Sequence, residues 1–105
     1  MITAVFFSKN ERFNGFNVSG HANFGNGEID VVCAAVSSAV QLVINTLTEI
    51  FDFNADVNVT KNAIEFKMLD SSDEVANKII NGFYLHLKIL SEDYKGTIKL
   101  SISEV

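Results

Sequence analysis

The sequence predicts an α+β fold in which one mostly antiparallel, five-stranded sheet carries two helices, in the order ββαββαβ. Five short segments alternate apolar and polar residues, whereas two longer segments repeat apolar residues at every third or fourth position. The chain has 105 residues, 48% of them hydrophobic, which is enough to bury one core without disulfides or metals. We therefore expect a single domain over residues 1–105.

The first two strands are predicted to form a hairpin. Residues 2–8 are rich in β-branched and aromatic side chains, residues 9–11 (Lys-Asn-Glu) form a turn signal, and residues 12–19 form the second strand. Gly15 inside that strand predicts a bulge or a close approach of another backbone. Residues 20–28 then break the periodicity with three glycines and two asparagines, which predicts a loop.

A long helix is predicted from Ile29 to about Phe51. Asp30 stands where an N-cap is expected, and polar residues collect on the face opposite the apolar ones. The apolar positions at helical spacing are Ile29, Val32, Val36, Val40, Val43, Leu47 and Ile50.

The second half of the chain repeats this pattern of a hairpin followed by a helix. Val57 and Val59 lie in one predicted strand and residues 64–68 in the next. A second helix follows Asp70, where Ser71 and Glu74 have the spacing of a capping box. Its apolar stripe consists of Val75, Ile79, Phe83, Leu87 and Leu90. After a turn, the alternating residues 98–102 predict the last strand.

Composition excludes several functional classes. The net charge is −5 and the eight basic residues are scattered, so direct binding of DNA or RNA is not expected; an acidic surface instead favours a basic partner. The single cysteine excludes a disulfide framework and a multi-cysteine zinc site. No uninterrupted apolar run reaches the roughly 18 residues of a membrane span, and the N-terminal residues lack the features of a secretion signal. We expect a cytoplasmic protein that does not contact a membrane.

Cys33 is the only thiol, and it falls in the first turn of the predicted long helix. The positive end of a helix favours the thiolate, which is the reactive form, and the backbone N–H groups of Cys33 and Ala34 could hold an oxyanion. His21 stands twelve positions earlier, at the junction of the second strand and the glycine-rich loop. Such a loop could return the chain so that His21 pairs with Cys33 as its base.

Structural roles compete with these assignments. A lone cysteine in a helix is usually a small core residue, and a histidine beside glycine in a loop is usually solvated. Asp30 fits a helix cap better than a catalytic role, because its charge opposes thiolate formation unless it is itself paired. His86 on the second helix has no acidic or thiol neighbour one turn away, which favours a structural role.

Residues 19–40 read SGHANFGNGEIDVVCAAVSSAV and combine these features at fixed spacing. They contain Gly-His-Ala (residues 20–22), a glycine-rich loop, Asp30, Val-Cys-Ala-Ala (residues 32–35) and Ser37. This segment strongly resembles the signature of the ribosomal-processing cysteine protease Prp family. The predicted element order and chain length are also similar to that family, so the resemblance extends over essentially the whole chain.

The resemblance implies a cysteine endopeptidase that removes a short N-terminal extension from the large-subunit ribosomal protein L twenty-seven of bacteria, cutting after an aromatic residue. It implies Cys33 as nucleophile, His21 as general base, and supporting or orienting roles for Asp30 and Ser37. It further implies a homodimer, no metal or organic cofactor, and a loop that covers the substrate. That loop includes Ala22, Phe24, Gly25 and Gly27.

Two alternatives to catalysis stay open at the level of sequence. The chain could be a non-catalytic, ribosome-associated module that binds a peptide without cutting it. It could also be a thiol redox sensor, which is disfavoured because the chain has no second cysteine to resolve a sulfenic acid.

Overall fold

The structure is a computed structural model that describes residues 1–20, 27–70 and 72–105, and the side chains of all of these except 27–30. The predicted element order ββαββαβ is confirmed. Its elements are β1 (Ile2–Lys9), β2 (Arg12–Ser19), α1 (Gly27–Asn45), a π-helical segment (Thr46–Ile50), β3 (Ala55–Val59), β4 (Ala63–Met68), α2 (Glu74–Asp93) and β5 (Ile98–Glu104).

The five strands form one sheet in the order β3-β4-β2-β1-β5. Three of its four pairings are antiparallel, and β1 and β5 are parallel, so the predicted mostly antiparallel sheet is confirmed. The β1–β2 hairpin closes through Asn10 and Glu11, which both have positive φ (54° and 66°). That conformation matches the right-handed twist of the flanking strands.

Gly15 occupies a position in β2 that excludes any side chain. The register between β1 and β2 shifts by one residue after Phe7, which leaves Asn14 as the extra residue of a bulge. A Cβ atom at Gly15 would overlap the carbonyl oxygen of Phe66 on β4. The sequence predicted either a bulge or a close approach of another backbone at Gly15, and the structure confirms both.

The core lies between the two helices and one face of the sheet. Phe6, Phe16 and Phe66 on the three central strands are fully buried. The ring of Phe83 on α2 lies 5.5 Å from that of Phe6 and 4.8 Å from that of Phe16, which fixes α2 over β1 and β2. Val32 on α1 belongs to the same buried cluster, so both helices cover the same face.

The opposite face of the sheet is polar. Asn17 on β2 donates a hydrogen bond to the carboxylate of Glu65 on β4 (3.0 Å), and Lys67 lies 3.2 Å from the same carboxylate. These bonds from Asn17 and Lys67 lower the pKa of Glu65 below its usual value. The ammonium group of Lys67 also lies 5.2 Å from the centre of the Phe7 ring.

From Val32 to Leu47 the buried stripe of α1 follows the prediction, and after Leu47 it departs from it; Ile29, the first residue of the predicted stripe, is not among the described side chains. Ile50 was expected in the core but is 73% exposed. The backbone changes to π-helical hydrogen bonding over Thr46–Ile50, where the N–H of Phe51 donates to the carbonyl of Thr46 (3.0 Å). The hydroxyls of Thr46 and Thr48 each donate to the carbonyl four residues earlier, a contact that bends helices. The wider turn rotates Ile50 away from the core.

The start of α2 also differs from the prediction. The N-cap is Asp73, whose carboxylate accepts a hydrogen bond from the N–H of Ala76 (2.9 Å), rather than Ser71, which lies outside the described residues. Asp70 instead accepts from the N–H and hydroxyl of Ser72, and these bonds lower the pKa of Asp70. This local turn delays the start of the helix.

The residues of α2 that are buried differ in part from the predicted stripe. Val75 was expected in the core but is exposed, whereas Ala76 and Ile80 take core positions. Phe83 and Leu87 of the predicted stripe are buried as expected.

The segment Val31–Ile50 is long and apolar enough to cross a membrane by length and composition alone, and it is the one such helix in the described part of the chain. The segment is not an uninterrupted apolar run, because serine, glutamine, asparagine, threonine and glutamate interrupt it, so the expectation about such runs is unchanged. The core helix of a soluble protein meets it too, and Val32, Val36 and Val40 are buried in this core. The segment is therefore weak evidence for a membrane span.

Candidate active site

A cleft of about 250 Å³ lies between α1 and the end of the sheet at which β2 ends and the β3–β4 hairpin turns. Its lining combines apolar side chains with hydroxyl, amide and thiol groups. The residues lining it are Ile2, Val18, Gly20, Cys33, Val36, Ser37, Val40, Gln41, Val59, Thr60, Asn62, Ala63 and Ile64.

One edge of α1 forms a wall of this cleft. Cys33, Ser37 and Gln41 all line it, and they recur at four-residue spacing, so they follow one edge of the helix. Cys33 is partly buried, whereas Ser37 and Gln41 are exposed. The expectation that Ser37 faces the same side as Cys33 fits this arrangement. Gln41 was not anticipated, although its position two turns after Cys33 is the signal that could have identified it.

Gly20 brings the end of β2 to the same cleft. Its N–H donates to the carbonyl of Asn62 (3.0 Å), and its φ is +80°. A Cβ atom there would lie 2.6 Å from the carbonyl oxygen of Met1, so the position excludes a side chain. The residue immediately before His21 therefore lines the cleft together with Cys33.

Several predicted site residues fall where the structure makes no statement. His21 lies outside the described residues, as do the loop residues Ala22, Phe24 and Gly25. Asp30 lies in α1, but its side chain is not among those described. The predicted pairing of His21 with Cys33 and the orienting role of Asp30 stay predictions.

The start of α1 corrects three expectations. The helix begins at Gly27, so Gly27 belongs to the helix and not to the loop, and Asp30 is its fourth residue rather than its N-cap. Cys33 is the seventh residue and lies in the second turn, not the first. Glycine costs a helix only about 1 kcal/mol, so it does not prevent the helix from beginning at Gly27. The helix therefore extends further back than the glycines indicate.

The same correction applies to the predicted oxyanion hole. Only the N–H groups of the first turn of a helix have no carbonyl partner within it. In a helix that begins at Gly27, the N–H groups of Cys33 and Ala34 follow that turn and face carbonyls of the preceding one. The described helix therefore does not present these two N–H groups to the cleft.

The opposite wall is the turn between β3 and β4, which was not predicted to take part. Thr60 and Asn62 line the cleft from this side. The N–H of Thr60 donates to the carbonyl of Ala63 (2.8 Å), which fixes the turn. The sequence shows these residues only as a turn; their position at the cleft follows from the pairing of β4 with β2.

Comparison with known proteins identifies the family. The family model described as cysteine protease Prp matches residues 1–99. The chain is 27% identical over 92 residues to the ribosomal processing cysteine protease Prp of Bacillus subtilis (strain 168), covering 82% of each chain.

Two crystal structures of the essential ribosomal processing protease Prp from S. aureus have the same fold. One is in complex with a substrate peptide and aligns with a TM-score of 0.89 at 22% identity, covering 98% of this chain and 100% of that chain. The other carries a covalently linked product peptide and aligns with a TM-score of 0.87 at 23% identity, with the same coverage. By the match over residues 1–99, this chain belongs to the cysteine protease Prp family and is a cysteine protease of ribosomal protein processing.

Proposed function

We propose that this protein is an endopeptidase that uses Cys33 as nucleophile and His21 as general base to remove an N-terminal extension from the precursor of ribosomal protein L twenty-seven. The observation that carries the proposal is that Cys33 and Gly20, the neighbour of His21, line one cleft. A cysteine protease needs a thiol, and this chain has one cysteine. The partly buried position of Cys33 at that cleft suits a nucleophile that must be reached by a peptide.

The chemistry follows the usual course of a thiol protease. The Cys33 thiolate attacks the scissile carbonyl carbon, and a tetrahedral intermediate forms. His21 then gives its proton to the leaving amine, which leaves the acyl group on sulfur as a thioester. Water, deprotonated by His21, hydrolyses the thioester and restores the thiol.

Stabilisation of the oxyanion needs donors other than the N–H groups of Cys33 and Ala34, which lie beyond the first turn of α1. Ser37 lines the cleft one turn after Cys33, and its hydroxyl can donate to an anion there. We assign Ser37 this supporting role. Asp30 keeps the orienting role that the family resemblance implies, toward His21.

The family supports the proposed partner and location. The relatives that the chain matches are named for ribosomal processing, and one solved structure of such a protease holds a substrate peptide. We therefore assign the L twenty-seven precursor as substrate, the cytoplasm as the location and a homodimer as the active form. Analytical ultracentrifugation of the purified protein tests the last assignment directly.

A digest of a synthetic peptide tests the function. The peptide spans the extended N-terminus of the L twenty-seven protein of the same host, and the products are identified by mass spectrometry. We expect one cut after an aromatic residue with the natural protein and none with Cys33→Ala. Ser37→Ala should lower kcat by about 10²- to 10³-fold, because it removes one donor to the oxyanion but leaves the nucleophile in place.

Two outcomes contradict the proposal. If neither the peptide nor the full-length precursor is cut under reducing conditions, this substrate is wrong. If Cys33→Ala binds the peptide as tightly as the natural protein and neither cuts it, the non-catalytic binding module replaces the protease.

A further inference from the structure

The open edge of β3 lies next to the cleft. Among the described residues, β3 pairs only with β4 and forms one edge of the sheet. At the two ends of the β3–β4 pairing, the N–H of Thr60 donates to the carbonyl of Ala63 and the N–H of Leu69 donates to the carbonyl of Asn54. Hydrogen bonds to a neighbour alternate along an antiparallel strand. The backbone groups of Val57 and Val59 therefore point outward, away from β4.

The side chains along this edge are also available. Val57 and Val59 are opposite Phe66 and Ile64 on β4, so they face the helical side of the sheet. They are nevertheless 43% and 68% exposed, because they lie beyond the area that the helices cover. Natural edge strands usually carry lysine or proline to prevent pairing with another chain, and β3 (ADVNV) has neither.

The edge continues into the cleft that holds Cys33. Val59 ends β3, and Val59 and Thr60 line the cleft across from Cys33. A chain that pairs with β3 and continues past Val59 therefore reaches the cleft. An extended peptide satisfies such an edge with main-chain hydrogen bonds and contacts it with every second side chain.

We propose that the substrate binds as a sixth strand on β3, with its backbone paired to Val57 and Val59 and one end leading into the Cys33 cleft. This inference rests on the proposed function, because it takes Cys33 as the reacting residue. Part of the binding affinity then comes from hydrogen bonds between β3 and the substrate backbone, several residues away from the bond that is cut. It also makes β3 a determinant of how long a substrate must be.

A scan of backbone methylation in the substrate tests the pairing without changing the protein. The peptide cut in the digest above is N-methylated one residue at a time, leaving the two residues around the scissile bond unmodified. We expect kcat/KM to fall about fivefold or more at every second position within one segment, and less than twofold at the positions between them. An equal effect, or none, at four consecutive positions on both sides of the scissile bond overturns the proposal.

A matched pair of proline variants tests the same pairing from the protein side. Val57→Pro removes an N–H that points to the open edge and none that bonds β4, which edge strands tolerate. Ile102→Pro is the control, because Ile102 is likewise exposed (51%) and lies on the helical side of the other edge strand. The bond from the N–H of Val105 to the carbonyl of Ser8 places the Ile102 N–H on the open side of β5.

We expect Val57→Pro to raise KM about three- to tenfold with little change in kcat, and Ile102→Pro to change neither. If Val57→Pro dissociates a dimer and leaves KM unchanged, the edge binds a second copy of the chain and the proposal is wrong. If circular dichroism shows that Val57→Pro is unfolded, the methylation scan alone decides. Cleavage of the unmethylated peptide that depends on Cys33 but shows no alternation contradicts this inference and leaves the proposed function intact.

Discussion

Gly20 meets two constraints that a residue with a side chain cannot meet. Its φ of +80° belongs to the left-handed region, and a Cβ atom would contact the carbonyl oxygen of Met1. Gly96 has nearly the same φ (+81°), but a Cβ atom there would meet nothing within 4 Å. The two glycines therefore separate the cost of the backbone conformation from the cost of the close contact.

We predict that Gly20→Ala lowers the free energy of unfolding by about 2–3 kcal/mol, against about 1 kcal/mol for Gly96→Ala. Urea denaturation of the three proteins measures both values. Because Gly20 lines the cleft and precedes His21 in the sequence, Gly20→Ala should also lower kcat/KM under conditions where it is folded, whereas Gly96→Ala should not. Equal losses of stability would mean that Met1 moves aside and that the contact imposes no constraint.

For individual residues, the sequence identified which residue types form the candidate site but not all of the atoms that contact them. Cys33 and Ser37 were placed together because four-residue spacing is a property of any helix. The carbonyl oxygen that a Cβ atom at Gly20 would contact belongs to Met1, next to the start of β1 and distant in sequence from residue 20. No local pattern reports such a contact.

The helix α1 and the π-helical segment after it show how one element can contain two periodicities. Leu47 and Ile50 are separated by three residues, which in an α-helix would bury both. In the structure Leu47 is fully buried and Ile50 is 73% exposed, because the π segment widens the turn between them.

We predict that Leu47→Ala lowers the free energy of unfolding by about 2–5 kcal/mol, since it leaves a cavity in the core. Ile50→Ala should change it by no more than about 0.5 kcal/mol, because the side chain is mostly in water. Urea denaturation of both variants provides the measurement. A loss above about 1.5 kcal/mol for Ile50→Ala would indicate that the helix continues as a regular α-helix and buries that side chain.

Both ends of this element were the parts that sequence patterns described least well. The prediction started the helix at Ile29 and took Asp30 as its cap, whereas α1 begins at Gly27. Glycine and asparagine lower helix propensity without forbidding a helix, so the pattern marks a boundary only approximately. The π segment is accompanied by hydrogen bonds from the hydroxyls of Thr46 and Thr48 to earlier carbonyls, and such bonds leave no signal in the apolar spacing.

For the molecule as a whole, the order of elements was predictable and the order of strands was not. Alternation and helical spacing are local, and they placed all five strands and both helices. The pairing of β2 with β4 joins segments more than 40 residues apart, and it is this pairing that brings Asn62 to Gly20. The cleft exists only because three distant parts of the chain meet. The wall formed by the turn between β3 and β4 therefore could not be predicted from the local sequence of any one part.

Net charge acts over the whole molecule. The chain carries 13 acidic and 8 basic residues, so a basic substrate is attracted before it reaches the cleft. Salt screens this attraction, and raising ionic strength from about 0.01 M to about 0.15 M shortens the screening length from about 30 Å to about 8 Å. Interactions across the width of the protein are lost first.

We predict that kcat/KM for a cleaved peptide extended with three lysines, placed outside the segment that pairs with β3, falls at least about threefold over that salt range. The same peptide with glutamines in place of the lysines should change by less than about 1.5-fold, since it has no added charge to attract. Parallel losses for both peptides would show that salt acts on the enzyme itself. No loss for either would show that the acidic surface does not contribute to substrate capture, and that recognition depends on contacts within the cleft and along β3.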